Sequence, residues 1–514
     1  MAGKSYEAIY PLSAPQQGML FECLLAPASG IHIEQTSCAL HGRLDVEAFK
    51  RAWTRMIERH AILRTAFVWK SVNEPLQVVL KSVETPFYQE DWRALAPDEQ
   101  EERLTTFCRA DRLRGFEVSQ APLMRLALFH TGEDQRQLVW TYHHILMDGW
   151  CRPIVFKELL EFYNAEKQGR ELELSRPRPY RDFIAWLGQQ NLADAEAFWR
   201  ETLKGFTRPT ALGVMLDKPA TDGQLDHYAR QTVSIGAETV ASLQSLCRQH
   251  HLTMNTVVQG AWSLLLSRYS GDDDVVFGAT VSGRPPELIG IESTLGMFIN
   301  TLPVRVKIAP EHPVWPWLEQ IQAQNFALRQ YEHSPIGQVH QWSEVPGAPL
   351  YESLLVFQNF PVETIEDRDL TMEIADFRTK GAQTKFGVTI LATLGRELNL
   401  QLISDSRRVD AESSRHMLAH MAHLLTRFAE DPHTHLDAIR QQISISEVPR
   451  IRPLQAPEQR KLETEFVAPQ TPIEEIIAGI WAQTLHLVEV SIHDNFFELG
   501  GHSLLATQLT SMLQ

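Results

Sequence analysis

Cysteine is scarce in this chain, long apolar runs are missing, and positive charge is outnumbered. Five cysteines (Cys23, Cys38, Cys108, Cys151, Cys247) are scattered over 514 residues without CxxC spacing. That pattern excludes a disulfide framework and suits reduced thiols in a cytoplasmic protein. No apolar stretch reaches the ~18 residues a membrane helix needs, and the opening Met1-Ala2-Gly3-Lys4-Ser5 has no secretory apolar core. Lysine and arginine number 48 against 64 aspartates and glutamates, a net charge of -16. Such a balance argues against nucleic acid or an anionic membrane as the main partner. There is also no GxSxG elbow, so a covalent-serine hydrolase is not indicated.

What the chain does have is enough apolar residue, 44% of 514, to bury more than one core, and its length predicts two or three domains. The most informative stretch is Thr141-Tyr142-His143-His144-Ile145-Leu146-Met147-Asp148-Gly149-Trp150. The preceding Gln137 to Tyr142 is rich in β-branched and aromatic residues and reads as a strand, with a helical run from Pro153 to Lys167 beyond. The paired histidines therefore close a strand. Asp148-Gly149 supplies a turn, Asp bonding its own backbone and Gly tolerating positive φ. Imidazole titrates near pH ~6.5, so a histidine held there can take a proton from an amine nucleophile. A zinc site would want third and fourth ligands, and no HExxH, CxxC or His-x-His grouping accompanies the pair, so no metal is expected. Cys151, close by, reads as a small core residue.

A second site lies in Asp494-Asn495-Phe496-Phe497-Glu498-Leu499-Gly500-Gly501-His502-Ser503-Leu504-Leu505. Ser503 follows two glycines and precedes an apolar-periodic run, which places its hydroxyl near a helix N-terminus, where a phosphodiester is favoured. This string resembles FFxLGGHSL, the phosphopantetheine attachment site of peptidyl carrier domains. The histidine stretch resembles the HHxxxDG motif of the condensation domains of nonribosomal peptide synthetases. Further stretches carry the same resemblance: Tyr10 to Phe21, Arg59 to Phe67, Ser282-Gly283-Arg284-Pro285, Gly296 to Thr301 and Leu355 to Phe360.

The resemblance implies an α/β fold of two chloramphenicol-acetyltransferase-like subdomains in a V-shaped pseudo-dimer, plus a C-terminal partial α-helical carrier segment. The expected layout is 1–220 and 221–450 for the two subdomains, 451–465 for a linker and 466–514 for an incomplete carrier. It implies an acyltransferase that forms an amide when an acceptor aminoacyl-thioester amine attacks a donor thioester, both on phosphopantetheine arms. By carry-over, His144 is the functional histidine, while His143 and Asp148, with Gly149 completing the motif, shape the loop. The arginine partner of Asp148 matches either Arg284 or Arg64. Ser503 would carry 4'-phosphopantetheine covalently. Implied partners are an upstream donor carrier, a phosphopantetheinyl transferase, and an adenylation domain acting in trans or lost, since none lies between the condensation and carrier regions. The chain ends 11 residues after Ser503, where the family has two further helices. A heterocyclisation domain would carry Asp in place of the motif histidines, and an epimerisation domain would have Ser-Trp after Asp-Gly. The opening Gln16 to Phe21 looks more like domains that accept a D-configured donor. Two rivals are a catalytically silent carrier-docking or recruitment platform, which commonly has a broken motif, and an ester-forming condensation domain.

A coarse reading of periodicity agrees with two similar α/β halves: helix Val46 to Ile62, the strand before the histidines and the helix after it, then two helices within Val240 to Arg268 split near Leu252-Thr253, and a strand Asp274 to Thr280. Polar Leu216 to His227 is the expected junction, and Pro- and charge-rich Ser446 to Gln470 an extended linker. Helical runs Val314 to Tyr331 and Ser414 to Ala429, and Trp186 and Trp199, read as packing.

Overall fold

The computed structural model describes residues 5–25, 30–212, 228–345, 349–358, 373–380, 386–406, 408–444 and parts of 467–494. The expected junction at 216–227, the linker 451–465 and Ser503 lie outside the described residues.

Three sheets organise the fold. A five-stranded sheet runs Glu373–Lys380, Ile33–His41, Gln135–His143, Met124–Gly132, Phe87–Asp91. A six-stranded sheet runs Asn300–Lys307, Asp274–Val281, Ser353–Gln358, Val388–Leu394, Leu398–Asp405, Tyr228–Ile235, and a three-stranded sheet joins Tyr6–Pro11, Leu76–Leu80 and Thr65–Val68. The two large sheets share a four-strand unit. In the first, Phe87–Asp91 pairs parallel with a strand of the hairpin Met124–Gly132/Gln135–His143, whose far strand pairs antiparallel with Ile33–His41. In the second, Ser353–Gln358 pairs parallel with a strand of the hairpin Val388–Leu394/Leu398–Asp405, whose far strand pairs antiparallel with Tyr228–Ile235. Each hairpin leads into a long helix, Cys151–Gln168 and Ala411–Glu430. The pseudo-twofold repeat is thus present in the hydrogen-bond ladders themselves.

The strand Gln135–His143 is central, so its last six residues are all buried rather than alternating. Strands covered on both faces read as continuous apolar runs, which explains Leu138-Val139-Trp140-Thr141-Tyr142. The helix Val46–Arg59, started by Asp45, whose carboxylate accepts the Ala48 N–H at 2.9 Å, packs Phe49, Trp53 and Met56 against Trp140 and Tyr163. Side chains of this size contribute about 1.5–3 kcal/mol each when fully buried.

The split into halves is not clean. Glu373–Lys380, deep in the second half by sequence, leaves it and pairs antiparallel with Ile33–His41 of the first, with a register shift between Ala375 and Arg378. Loop residues Ile291, Leu295, Met297 and Phe298 likewise join the core of the first half, beside Tyr180 and Phe183. The expected helical and strand runs are present, with Val240 to Arg268 divided into Ala237–His250 and Met254–Ser270 around Thr253, whose hydroxyl accepts the Thr256 N–H at 3.2 Å. In the C-terminal segment, Thr471 and Glu474 bond each other's backbone N–H groups at 3.2 and 2.9 Å, the reciprocal pattern of a capping box.

Candidate active site

His143 is the last residue of its strand and His144 the first beyond it. The backbone at this junction is tied on three sides: the His143 N–H donates to Leu123 O at 3.0 Å, the His144 N–H to His32 O at 2.7 Å, and the Asp148 N–H to Gly296 O at 3.1 Å. Gln16 adds a fourth tie, its side-chain amide donating to Ile145 O at 3.1 Å.

The two histidines are held as opposite tautomers. The Ile145 N–H donates to His143 Nδ1 at 3.1 Å, so the proton sits on Nε2, which meets Cys23 Sγ at 3.1 Å. In His144 it is Nδ1 that must carry the proton, because it bonds the Met147 carbonyl at 2.9 Å. That leaves the His144 Nε2 lone pair unused by this contact. His143 is 2% exposed, and burial pushes its pKa well below the ordinary histidine value. Burial also pushes the Cys23 thiol up to about 12, so it is a neutral partner.

Asp148 is fully buried and joins the halves. Its carboxylate accepts Arg284 at 2.9 and 3.2 Å, the Phe298 N–H at 3.1 Å, and the Trp150 N–H at 3.1 Å. The Arg284 guanidinium also lies 4.2 Å from the centre of the Phe298 ring. Of the two arginines matched by motif, Arg284 alone is brought to Asp148. Arg64 is a correction to the other option: it is buried elsewhere, bonding Glu7 at 2.9 Å and the carbonyls of Ile57 and Leu80. Its place at the end of Val46–Arg59 and its short helical turn points it at the three-stranded sheet.

A second correction concerns Gly149. It is not among the positive-φ glycines of the described residues. The turn instead runs right-handed into the helix, with Cys151 N–H on Asp148 O at 3.1 Å and Arg152 N–H on Gly149 O at 3.3 Å. The expected Asx bond to Trp150 supplies the stop. The residue that requires left-handed backbone is Gly283, at φ 61°, where a Cβ would fall 1.9 Å from Phe298 O. Cys151 is fully buried and its thiol pKa is raised by burial, as for a packing residue.

A cavity of about 1410 Å³ lies between the halves. It is lined by Glu34, His144 and Gly149 from the first half and by Ser282, Arg284 and Gln358 from the second, among others. His144 reaches it with 16% of its side chain exposed, whereas His143 is not part of the lining. Trp186 lines the same cavity, and Trp199 is core, its indole N–H donating to Ser334 Oγ at 2.9 Å. Two contributors were not singled out from sequence. Gln16 stood only within a motif, and Glu34, whose Oε1 is 4.0 Å from His144 Nε2, lies in a strand that carries no motif. Among the described residues, no group of three His, Cys, Asp or Glu is placed to hold a metal ion, and no helix is long and apolar enough to cross a membrane.

Two repeated α/β halves, with a histidine facing the cavity between them, define a chloramphenicol-acetyltransferase-like fold. The comparisons with known proteins narrow this class. The family described as Condensation domain matches residues 6–442, and the family described as Phosphopantetheine attachment site matches 475–514. This chain belongs to the condensation-domain family of nonribosomal peptide synthetases and ends in a segment of the kind that carries covalent 4'-phosphopantetheine. It is 42% identical over 428 residues to one of the linear gramicidin synthase proteins of Brevibacillus parabrevis, covering 83% of this chain and 8% of that protein. It is 35% identical over 440 residues to one of the mycosubtilin synthase proteins of Bacillus subtilis, covering 84% of this chain and 17% of that protein. The chain thus spans a small part of these relatives' length. Its fold matches a holo four-domain nonribosomal peptide synthetase bound to AMP and glycine, with TM-score 0.72 at 15% identity, covering 97% of this chain and 38% of that one. It also matches the first condensation domain of the calcium-dependent antibiotic synthetase, with TM-score 0.69 at 16% identity, covering 84% and 99%.

Proposed function

We propose that this chain joins a donor acyl or peptidyl thioester to the amine of an acceptor aminoacyl thioester, with His144 as the proton-handling group. The observation that carries this reading is the fixed tautomer of His144: Nδ1–H is committed to Met147 O, so Nε2 is the basic atom of a ring that lines the cavity between the halves. The acceptor nitrogen attacks the donor carbonyl, a C–N bond forms and the C–S bond breaks. Nε2 takes the proton that the nitrogen sheds, and the departing sulfur receives one.

His143, neutral and buried, keeps the strand end in shape through Ile145. Asp148 and Arg284 lock the motif loop to the 282–299 loop of the second half, so that the two walls of the cavity keep their spacing. The base is not the main source of rate. A general base contributes about 10² to 10⁴-fold, whereas holding both reactants in contact can supply roughly 7–11 kcal/mol. Ser503 is assigned the prosthetic arm of the acceptor, and the partners are an upstream donor carrier, an adenylation domain acting in trans or lost from this chain, and a phosphopantetheinyl transferase. The cytoplasm, with its reduced thiols, is the assigned compartment.

Intact-protein mass spectrometry tests the proposal. Chain loaded with an aminoacyl arm on Ser503, mixed with a donor-loaded carrier, is expected to gain the donor acyl mass in an amide. No amide product in a correctly loaded system would leave a recruitment platform as the better reading.

A further inference from the structure

We propose that Glu22, acting through His32, is a positioning residue for His144: it holds a left-handed turn whose carbonyl fixes the backbone of the base. The inference rests on the acyl-transfer reading above and adds two residues to its machinery. His32 stands one residue before the strand Ile33–His41, whose pairing with the motif strand ends with Ile33 opposite His143. The ladder gains one bond beyond that pair, from the His144 N–H to His32 O at 2.7 Å. The chain enters the strand through a turn at His32, with φ 60° and the Ile33 N–H on Gly30 O at 3.4 Å.

A residue with a Cβ is disfavoured in the left-handed region by about 5- to 30-fold, so the surroundings must hold His32 there. Its ring supplies the hold. Nε2 donates to Glu22 Oε2 at 2.7 Å, and both side chains are largely enclosed, at 10% and 19% exposure. A hydrogen bond to a charged group favours the bonded state by about 10- to 150-fold, enough to outweigh the backbone preference.

Glu22 belongs to the helix Ala14–Leu25. The same helix sends the Gln16 amide to Ile145 O at 3.1 Å and sets Cys23 Sγ 3.1 Å from His143 Nε2. The residues on both sides of His144 in sequence, and the residue across the ladder from it, are thus held by one helix. Gln16 and Cys23 act on residues beside the base, whereas Glu22 acts on the carbonyl that meets the base's own N–H. Without Glu22, His32 returns to an ordinary φ, that carbonyl turns away, and the ring of His144 shifts in the cavity wall. Glu22 and His32 line the cavity too, so the rival reading is direct contact with substrate.

The test assays the full chain with a donor-loaded carrier and a soluble acceptor, the small-thiol thioester of an α-amino acid. Glu22→Ala and His32→Ala should each lower kcat about 10- to 100-fold with the acceptor KM little changed. Glu22→Gln, whose amide oxygen still accepts the ring N–H, should recover part of the loss. His32→Gly is the decisive variant. It lacks the ring but takes positive φ freely, so it should lose less than His32→Ala, and Glu22→Ala added to it should have little further effect. A ring that only packed, or that touched substrate, would give the reverse order. Glycine equal to or worse than alanine overturns the proposal, as does a Glu22→Ala that raises KM at constant kcat. Hydrogen exchange in the peptide that carries His144, followed by mass spectrometry without substrates, reads the same geometry apart from turnover. Exchange should quicken in Glu22→Ala and His32→Ala, and less so in His32→Gly. Unchanged exchange in Glu22→Ala overturns the proposal even where rates fall. Wild type that forms no amide sinks the acyl-transfer reading instead, and the exchange data then decide Glu22 separately.

Discussion

At the scale of single residues, two adjacent histidines with the same side chain have different fates because their backbone contacts assign the ring protons differently. His144→Ala is expected to lower the single-turnover rate by about 10² to 10⁴-fold while leaving measurable product. A rate equal to wild type would remove His144 from the chemistry. His143 is a stability residue with a definite pH signature. Its folded pKa is depressed by burial, so below the unfolded value of ~6.5 the unfolded chain binds a proton that the folded chain does not. Stability contributed by this neutral ring is therefore present above that value and lost as pH falls beneath it. Melting temperatures across this window should drop toward acid in wild type, and His143→Gln should flatten that slope. Asp148→Ala leaves the Arg284 guanidinium, 9% exposed, without its carboxylate, and urea denaturation should register a loss of about 3–5 kcal/mol. The HHxxxDG residues were legible because their types and spacing are rare together. Glu34 was not, since a Glu followed by Gln and Thr in a strand reads as a polar face, and only pairing with a strand some hundred residues away puts it beside His144.

Elements show a different limit. Strand and helix periods were enough to find Gln135–His143, Cys151–Gln168 and the divided pair before Asp274–Val281, because each has a continuous or three-to-four apolar pattern. Loops depend on contacts that no local period records. The 282–299 loop is set by Gly283 at positive φ against Phe298 O, by Glu332 accepting the Gly283 N–H at 3.0 Å, and by Tyr180 donating to Met297 O at 2.6 Å. Gly283→Ala must either move Phe298 or leave the left-handed region, which itself costs roughly 1–2 kcal/mol for a residue with a Cβ. The expected result is a chain destabilised by more than that amount in chemical denaturation and slower in turnover, because Arg284 is carried on the same loop. An unaltered denaturation midpoint would show that the loop has slack.

On the scale of the whole molecule, the sequence supported two alike halves, and the repeated four-strand units bear out that likeness. What it did not disclose was the exchange between them, since the residues of Glu373–Lys380 carry no mark of which sheet they will join. Long-range pairing of Glu373–Lys380 with Ile33–His41, together with the Asp148–Arg284 pair, should make the halves unfold as one unit. Scanning calorimetry is expected to give a single cooperative transition for residues 5–444, and replacing 373–380 by a polar linker of equal length should split it in two. The crossing strand also bears on recombination. A chimera that takes its front part from one synthetase and its rear part from another imports a foreign edge for the Ile33–His41 strand. Grafts that move 373–380 together with the front part would keep the native neighbour on the edge of the Ile33–His41 strand.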